Sequence, residues 1–380
     1  MARLDQICQL NMGQSPDSSS YNENCEGMPF FQGNADFGKI HPKVRVWCSA
    51  PTKVAHTGDV LISVRAPIGA LNIADRECCI GRGLAALTVN ETLCNKDYLW
   101  HAIASKVDEL NSKGTGSTFK AISKSVLAET DIPLPSLDEQ TIIAECLTKV
   151  DELIALRKEQ FAKLDQLVKS RFIEQFGDKE HNEKGLPTAP MTELCEIIDG
   201  DRGKNYPKQV EFSEEGFCLF LNAKNVTTNG FSFENCMYIT EEKDKILRNG
   251  KLSRGDVVLT TRGTLGNLAF YDESVPYEHM RINSGMVILR MKRERITERF
   301  FIEQFKMQLA SIKERIASGS AQPQLPISTM NKIVMLVPDV ELQNQFSAFV
   351  EQTDKSKFAI QQSLDKLELL KKSLMQEYFG

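Results

Sequence analysis

The 380-residue chain lacks the features of several classes of protein. No apolar run reaches the roughly 18–20 residues that a membrane-spanning helix requires. The segment Met1–Asp5 has neither an apolar core nor a small-residue cleavage site, so we expect a cytoplasmic protein. Lys and Arg number 46 against 51 Asp and Glu, so the chain has no cationic excess of the kind that coats a nucleic acid.

Patterns of metal ligands and of disulfides are also missing. The five histidines stand far apart, and none belongs to a finger-like pattern with other ligands. The ten cysteines are scattered, and the only close pair, Cys78 and Cys79, is adjacent rather than spaced as C-x-x-C. We therefore expect no metal site, and reduced thiols that behave as small apolar groups.

Catalytic signatures are absent as well. The sequence has no G-x-x-x-x-G-K-[ST] loop, G-x-S-x-G elbow, H-E-x-x-H motif or D-P-P-Y or N-P-P-F tetrapeptide. The segment Gly200–Asn205 has the wrong glycine spacing for a phosphate loop. Glu241 and Lys243 form a nuclease-like E-x-K triplet, but such triplets arise by chance where 26% of residues are charged. The sequence therefore indicates a non-catalytic binding protein.

The sequence contains an internal repeat that covers both halves of the chain. Gly58–Arg65 (GDVLISVR) recurs 197 residues later as Gly255–Arg262 (GDVVLTTR), and each arginine is followed four residues on by a glycine. Further matches, at offsets of 187 and 203 residues, are Ile7-Cys8 with Leu194-Cys195, Gly13 with Gly200, Gly116-Ser117 with Gly319-Ser320, Pro135 with Pro338, Gln140 with Gln343, and Phe176-Gly177 with Phe379-Gly380. Each half is therefore one module followed by one tail.

Each tail has the pattern of a long amphipathic helix. The segment Ser136–Glu139 is a capping box directly after a proline, and Asp339 is placed to cap the second tail. Apolar residues then recur in steps of three and four, which predicts two coiled-coil helices of about 60 Å. The predicted seam and subunit-interface residues are Ile143, Leu147, Val150, Ile154, Phe161, Leu164, Val168, Phe346, Val350, Ile360, Leu364 and Leu367. The alternative is that each seam packs on the core of its own module.

The modules have mixed, α+β character. Short β-like runs bounded by Gly, Asn and Asp lie at residues 60–64, 219–221, 257–260 and 286–289, and helical patterns lie at 96–110 and 298–316. A polar stretch, residues 178–185, joins the first tail to the second module.

The order of these motifs resembles one known family. LPSLDEQ at 134–140, leading into a heptad helix that ends in Phe-Gly, GSTFKAISK at 116–124 and the GDVLISxR block are similar to the DNA-specificity subunit of type I restriction-modification enzymes. The resemblance covers the whole chain. It implies two target-recognition domains, residues 1–135 and 178–338, separated by two long antiparallel coiled-coil helices, residues 136–177 and 339–380, with pseudo-two-fold symmetry. Each domain would read one half of a bipartite, asymmetric double-stranded DNA target.

The resemblance also implies the partners. Methyltransferase (modification) subunits would dock on the helix pair, restriction subunits would join that core, and the helices would set the spacer between the half-sites. S-adenosylmethionine, ATP and magnesium would be bound by those partner chains. The alternative is a two-module scaffold for protein partners with a coiled-coil spacer.

The second copy departs from the pattern at one point. It has QPQLPIS at 322–328 where the first copy has FKAIS at 119–123. Its Ile-Ser step is thus shifted by two residues, and the lysine is replaced.

Candidate DNA contacts lie in windows of local positive charge. Residues 39–82 hold seven Lys and Arg against three acids, residues 113–124 hold three lysines and no acid, and residues 243–315 hold fifteen against nine. Cations contact phosphates, and Arg and Lys also read base edges. The residues that we select are Arg65, Arg82, Lys113, Lys120, Arg262 and Arg281. Arg65 and Arg262 are equivalent in the repeat, and their alternative role is structural, tying a turn to Asp59 or Asp256.

Overall fold

The computed structural model describes residues 1–116, 120–178, 182–317 and 324–380. The chain divides into two compact units: unit 1 is residues 1–159 with 360–380, and unit 2 is residues 160–359. Parts of the predicted polar linker, and of the Gly-Ser and Lys120 motifs in both copies, fall on residues 117–119, 179–181 and 318–323 and lie outside the described residues.

The first repeat contains short strands and helices followed by one long helix. The strands are β1 (Ala2–Arg3), β2 (Cys8–Met12), β3 (Tyr21–Asn22), β4 (Met28–Phe31), β5 (Val46–Cys48), β6 (Val54–Ala55), β7 (Val60–Ser63), β8 (Leu71–Ile73), β9 (Cys78–Ile80), β10 (Leu84–Val89) and β11 (Asp131–Ile132). The helices are α1 (Leu4–Ile7), α2 (Lys96–Ser105), α3 (Val107–Ser112), α4 (Lys124–Ala128) and α5 (Leu137–Phe176).

The second repeat also contains short strands and helices followed by one long helix, but a helix directly precedes its copy of the GDV strand where the described first repeat has none. Its strands are β12 (Thr188–Pro190), β13 (Cys195–Asp199), β14 (Cys218–Leu221), β15 (Val226–Thr227), β16 (Gly230–Phe231), β17 (Tyr238–Ile239), β18 (Asp256–Thr260), β19 (Leu268–Phe270), β20 (Met280–Ile282), β21 (Met286–Met291) and β22 (Val334–Leu336). Its helices are α6 (Met191–Leu194), α7 (Glu241–Ile246), α8 (Glu298–Ala317), α9 (Ile327–Met330) and α10 (Val340–Phe379). The predicted strands and helices are confirmed, except that the pattern at 96–110 forms two helices that break at Lys106.

Matching antiparallel sheets carry the repeated GDV block. The sheet of unit 1 has the order β2-β10-β7-β8, and that of unit 2 has the order β13-β21-β18-β19. The block supplies β7 and β18, which are buried along their whole length. An apolar strand of this kind is typical of a sheet interior. Each unit therefore places its repeated arginine just beyond the end of a buried strand.

The capping box at the start of α5 is confirmed. The Ser136 N–H donates to Glu139 Oε2 at 3.0 Å, and the Glu139 N–H donates to Ser136 Oγ at 3.4 Å. These reciprocal bonds satisfy donors that the first turn of a helix leaves open. The hydrogen bonds to Ser136 hold the pKa of Glu139 below its usual range, so the carboxylate stays charged where the helix dipole favours it. The second long helix begins at Val340, directly after Asp339.

Each long helix contributes to the cores of both units. In α5, Leu147 is buried in the core of unit 1, whereas Phe172 and Phe176 are buried in the core of unit 2. In α10, Phe346 is buried in unit 2 and Phe379 in unit 1. The first half of each helix thus packs on the module that precedes it, and the second half packs on the other module. The alternative, in which each seam packs on the core of its own module, therefore holds for only the first half of each helix.

The two long helices run antiparallel within each unit. In unit 1, Lys371 pairs with Asp151 at 2.6 Å and Lys158 pairs with Glu368 at 2.9 Å. In unit 2, Lys357 Nζ lies 2.5 Å from Asp165 Oδ1. As the residue number rises along α5, the number of its partner in α10 falls, which is the register of antiparallel helices.

The predicted seam residues all face inward to some degree. The buried ones are Leu147, Val150, Val168, Phe346, Val350 and Leu364, and the half-buried ones are Ile143, Ile154, Phe161, Leu164, Ile360 and Leu367. Lys357, which interrupts the apolar seam, has 17% of its side chain exposed and is neutralised by Asp165. None of the described helices has the length and hydropathy of a membrane-spanning segment.

All ten cysteines are free thiols within the described residues, as expected. Burial raises the pKa of Cys8, Cys78, Cys94, Cys195 and Cys218 to about 12. These thiols therefore stay protonated at neutral pH and pack as apolar groups.

Candidate nucleic-acid interface

The Arg65 turn of unit 1 lies between two other chain segments. The Val64 N–H donates to Gly83 O and the Ala66 N–H donates to Lys120 O, each at 2.9 Å. Arg65 itself forms an isolated bridge with Ala121. Backbone hydrogen bonds thus bring together three sequence-predicted residues, Arg65, Arg82 and Lys120, which are distant in sequence.

These three cations are open to solvent. Arg65, Arg82 and Lys120 are exposed, and none of their charged groups forms an ion pair or hydrogen bond within the described part of the chain. Asp59, the suggested partner of a structural Arg65, instead accepts a hydrogen bond from the His56 N–H at 2.8 Å. Because an unpaired guanidinium loses no protein contact on binding a phosphate, this cluster suits an anionic ligand.

A cavity of about 410 Å³ opens beside the cluster. Its lining includes Arg65 and Arg82 together with the exposed amide side chain of Gln32 and the half-buried one of Asn34. Tyr21 also lines it and stacks on Phe30 with ring centroids 4.7 Å apart. Amide and guanidinium groups are the side chains that read adenine and guanine edges. The cavity therefore combines groups for phosphates and for bases.

Unit 2 builds the same turn around Arg262. The Thr261 N–H donates to Gly285 O at 2.8 Å, and Arg262 forms a bridge with Gln324. Arg262 is exposed, and no ion pair or hydrogen bond of its guanidinium occurs in the described residues. Asp256, its suggested structural partner, pairs instead with Arg290 at 2.8 Å. Within the described residues, neither turn arginine is therefore tied to the aspartate suggested for it.

The Ile-Ser step of the second copy is shifted by two residues in the sequence, but the backbone pairing beside it is not shifted. The Ile122 N–H donates to Val64 O at 2.9 Å, and the Leu325 N–H donates to Thr261 O at 3.1 Å. Leu325 therefore takes the place of Ile122, 203 residues on, and both side chains are buried. Aligning the two copies by their Ile-Ser residues gives the wrong equivalence, because backbone pairing sets the register and Leu fills the buried apolar position as well as Ile does. The position equivalent to Lys120 lies outside the described residues.

Lys113 is a weaker candidate. Its ammonium lies 2.6 Å from Glu109, one turn back along α3. The hydrogen bond and the charge of Glu109 raise the pKa of Lys113. The pair is exposed, so it contributes little to stability and could open toward a phosphate, but its net charge is zero.

Arg281 is placed in the core and does not lie on the predicted surface. It is 4% exposed, and its Nε donates to Asp244 Oδ1 at 2.5 Å while its other nitrogens donate to backbone carbonyls of Asn249, Asp244 and Leu247. Arg281 lies on β20, which pairs in parallel with β14. The corresponding parallel pair in unit 1 is β4 with β9, and there the equivalent position is the buried Cys79. The charge count of a window could not reveal this, because it does not distinguish the two faces of a strand. We therefore remove Arg281 from the candidate contacts.

The Arg281–Asp244 pair is a structural element of unit 2. Burial raises the pKa of the Asp244 carboxyl, but hydrogen bonds from Lys251 and Arg281 outweigh it and leave the pKa lowered. The carboxylate is thus charged at neutral pH, and removing Arg281 would leave a buried charge with less compensation. No group of three or more His, Cys, Asp or Glu side chains with the geometry of a metal site occurs in the described residues.

A family model matches this chain twice, and known proteins are similar to it. The model of the type I restriction modification DNA specificity domain matches residues 1–166 and 186–370. A Methanocaldococcus jannaschii protein described as the MjaX specificity subunit is 42% identical over 158 residues, 42% of this chain and 37% of the relative. The MjaIX specificity subunit of the same organism is 24% identical over 310 residues, 77% of this chain and 70% of the relative. The chain thus spans little more than a third of one of these relatives.

A solved structure has a similar fold. The crystal structure of a type I restriction-modification S subunit from M. genitalium superimposes with a TM-score of 0.62 at 18% identity, covering 100% of this chain and 95% of the other. At this identity the likeness bears on the fold alone. It supports a doubled α+β architecture with two long helices.

Proposed function

This chain belongs to the type I restriction-modification DNA specificity family, and we propose that it is the non-catalytic subunit that selects the DNA sequence for such an enzyme. Each module reads one half of a bipartite, asymmetric double-stranded target. The helix pair sets the spacer and docks the methyltransferase subunits, and restriction subunits join that assembly. S-adenosylmethionine, ATP and magnesium are bound by the partner chains.

The doubled arginine turn is the observation that carries the proposal. Arg65 and Arg262 lie two residues beyond the ends of equivalent buried strands, are exposed, and have no side-chain partner within the described residues. A repeated pair of unpaired cations suits a ligand with a repeated negative charge, which duplex DNA supplies at every phosphate. In unit 1 the adjoining Gln32 and Asn34 add the amide groups that distinguish bases. The site offers binding chemistry rather than bond-breaking chemistry.

The protein partners are proposed to dock on exposed leucines of the long helices. Leu167 in α5 and Leu370 in α10 occupy equivalent positions, 203 residues apart, and are 48% and 46% exposed. Exposed apolar residues that recur at equivalent places are typical of interaction surfaces. Two copies of one methyltransferase subunit would each find a leucine at the equivalent place.

The test of DNA selection is co-expression with the methyltransferase encoded beside this chain, followed by sequencing of methylated sites. We expect one bipartite motif, and a loss of methylation at that motif on Arg65→Ala or Arg262→Ala. Arg76→Ala and Arg293→Ala are matched controls, because these exposed arginines pair with Asp75 and Glu298 and lie near the opposite ends of β7 and β18. Unchanged methylation in both turn variants would contradict the proposal.

The alternative function, a scaffold for protein partners, predicts a different salt dependence of DNA binding for the same complex. Binding to DNA should weaken steeply as salt rises, because each neutralised phosphate releases counterions. A scaffold held by apolar contacts would show no DNA binding with this dependence. Docking is tested separately by Leu167→Glu with Leu370→Glu, which should abolish co-purification of the methyltransferase, whereas Leu93→Glu, 44% exposed on a module loop, should not. Co-purification that survives both helix substitutions would contradict the docking site.

A further inference from the structure

The loops beside the two arginine turns make an equivalent close contact in each unit, and a serine and an arginine are exchanged across that contact. In unit 1 the last pair between β2 and β10 joins Met12 to Ala85, and in unit 2 the corresponding pair between β13 and β21 joins Asp199 to Val287. A Cβ on Gly13 would lie 2.1 Å from Gly81 O, and one on Gly200 would lie 2.2 Å from Asn283 O. Both units therefore press the loop after the first strand against the loop before the last.

The exchanged positions lie three residues after the first strand and three residues before the paired residue of the last strand. The positions are Ser15 and Arg82 in unit 1, but Arg202 and Ser284 in unit 2. The two positions touch in each unit, since the Arg82 N–H donates to Ser15 Oγ at 3.3 Å and Arg202 Nη2 donates to Ser284 O at 3.2 Å. In each unit one arginine thus takes part in this contact, which we call the corner, through its backbone N–H in unit 1 and through its side chain in unit 2, and opposite loops carry it.

This corner adjoins the arginine turn in both units. Gly83, next to Arg82, accepts the hydrogen bond that holds the Arg65 turn, and Gly285, next to Ser284, accepts hydrogen bonds from the N–H groups of Thr261 and Arg262. Arg202 is 48% exposed in its side chain. Its Nη2 also lies 3.0 Å from Asp199, so its charge is partly neutralised like that of Lys113. Unlike the ammonium of Lys113, the guanidinium keeps two donors, Nε and Nη1, that have no partner within the described residues and can bind a phosphate while the exposed pair stays closed.

We propose that Arg202 contacts a DNA phosphate in the second module, together with Arg262, and is the counterpart of Arg82 beside Arg65. The inference rests on the proposed function and adds a residue to it. A phosphate contact carries no sequence information, whereas base contacts must differ between half-sites. An arginine kept at the same contact between loops in both units, although a different loop carries it in each, therefore fits a phosphate.

The experiment measures DNA affinity of the complex with the methyltransferase against salt concentration. Removing one phosphate contact should lower the slope of log K against log salt by about 0.9 and weaken binding about tenfold at 0.1 M salt. We expect this for Arg202→Ala, a smaller loss for Arg202→Lys, and an unchanged methylated motif. The exchanged variant Arg202→Ser with Ser284→Arg should restore the slope, because it gives unit 2 the arrangement of unit 1.

The results that would overturn this inference differ from the result that would refute the proposed function. A wild-type slope in Arg202→Ala, or no recovery in the exchanged variant with an unchanged thermal transition, would overturn the inference while leaving the proposed function standing. A relaxed half-site in the methylated motif would identify a base contact and also overturn it. Absence of salt-dependent binding by the wild-type complex would instead refute the proposed function itself.

Discussion

The side chain of Gln140 accepts a hydrogen bond from the backbone N–H of Asn95 at 2.8 Å, and Gln343 does the same for Thr297 at 2.9 Å. Gln140 Nε2 also donates to the carbonyls of Leu93 and Pro135, and Gln343 Nε2 donates to two carbonyls in matching positions. Both glutamines are fully buried. Gln140 therefore joins the start of α5 to the loop before α2, and Gln343 joins the start of α10 to the loop before α8.

Replacing Gln140 with Leu should destabilise unit 1 by about 3 kcal/mol, because buried backbone groups lose their partners at about 1–3 kcal/mol each. Both tryptophans, Trp47 and Trp100, lie in unit 1, so urea unfolding followed by their fluorescence reports that unit. Gln376→Leu, on an exposed position of unit 1, should change the free energy of unfolding by less than about 0.5 kcal/mol. Equal effects of the two substitutions would show that the buried bonds contribute nothing.

The Phe-Gly ends of the tails should be needed by the opposite repeat. Phe379 packs on Tyr98 with ring centroids 5.3 Å apart, and Phe176 packs on Phe300 at 5.0 Å. Deleting a buried Phe side chain costs about 3–5 kcal/mol. We expect Phe379→Ala to speed hydrogen exchange in the core of unit 1, and Phe176→Ala to do so in unit 2.

The control for the Phe379 substitution is Leu369→Ala, on a residue of the same helix that is 69% exposed. It should leave exchange in unit 1 unchanged. If Phe379→Ala instead speeds exchange only in unit 2, the packing of each tail end on the other repeat's module is refuted.

His101 should make unit 1 less stable in acid. Burial lowers the pKa of its imidazole below 6.5, the Asp151 carboxylate raises it in part, and the Lys371 ammonium lowers it again. As the pH falls through about 6.5 the unfolded chain binds the proton first, so the free energy of unfolding decreases below that pH until the folded imidazole also titrates. Above pH 6.5 the imidazole is neutral in both states and no stability is lost.

The measurement is the urea midpoint of tryptophan fluorescence between pH 7.5 and 5.5. His101→Gln keeps a neutral side chain, so the variant should lose part of the decrease that the wild type shows. His56→Gln, on a residue whose side chain is 65% exposed, should keep it. A wild-type slope in His101→Gln would contradict the assignment.

The length of the helices should set the spacer of the DNA target. Four residues inserted after Glu159 in α5 and four after Ala359 in α10 lengthen each helix by about 6 Å and nearly preserve the seam, since four residues make a little over one turn. DNA rises about 3.4 Å per base pair, so the methylated motif should gain about two base pairs between unchanged half-sites. Altered half-sites with an unchanged spacer would refute the role of the helices.

The sequence predicted most of the fold because its signals are local. The capping box at Ser136, the seam from Ile143 onward and the strand before Arg65 each depend on residues close together in the chain, and all three are confirmed. Arg281 was misassigned because local charge does not show which face of β20 is covered. The repeat pattern alone also concealed Arg202, because its counterpart lies on a different loop.

The sequence by itself determined the doubling, the two long helices and the arginine that follows each buried strand, because periodicity, caps and repeats are written along one dimension. Only the tertiary structure decided which module receives the end of each helix, that Phe176 meets Phe300 and Phe379 meets Tyr98, and that Arg82 and Arg202 occupy equivalent corners. The physical reason is that an apolar stripe specifies that a face must be buried but not what covers it. Packing shape and backbone hydrogen bonds between distant segments make that choice.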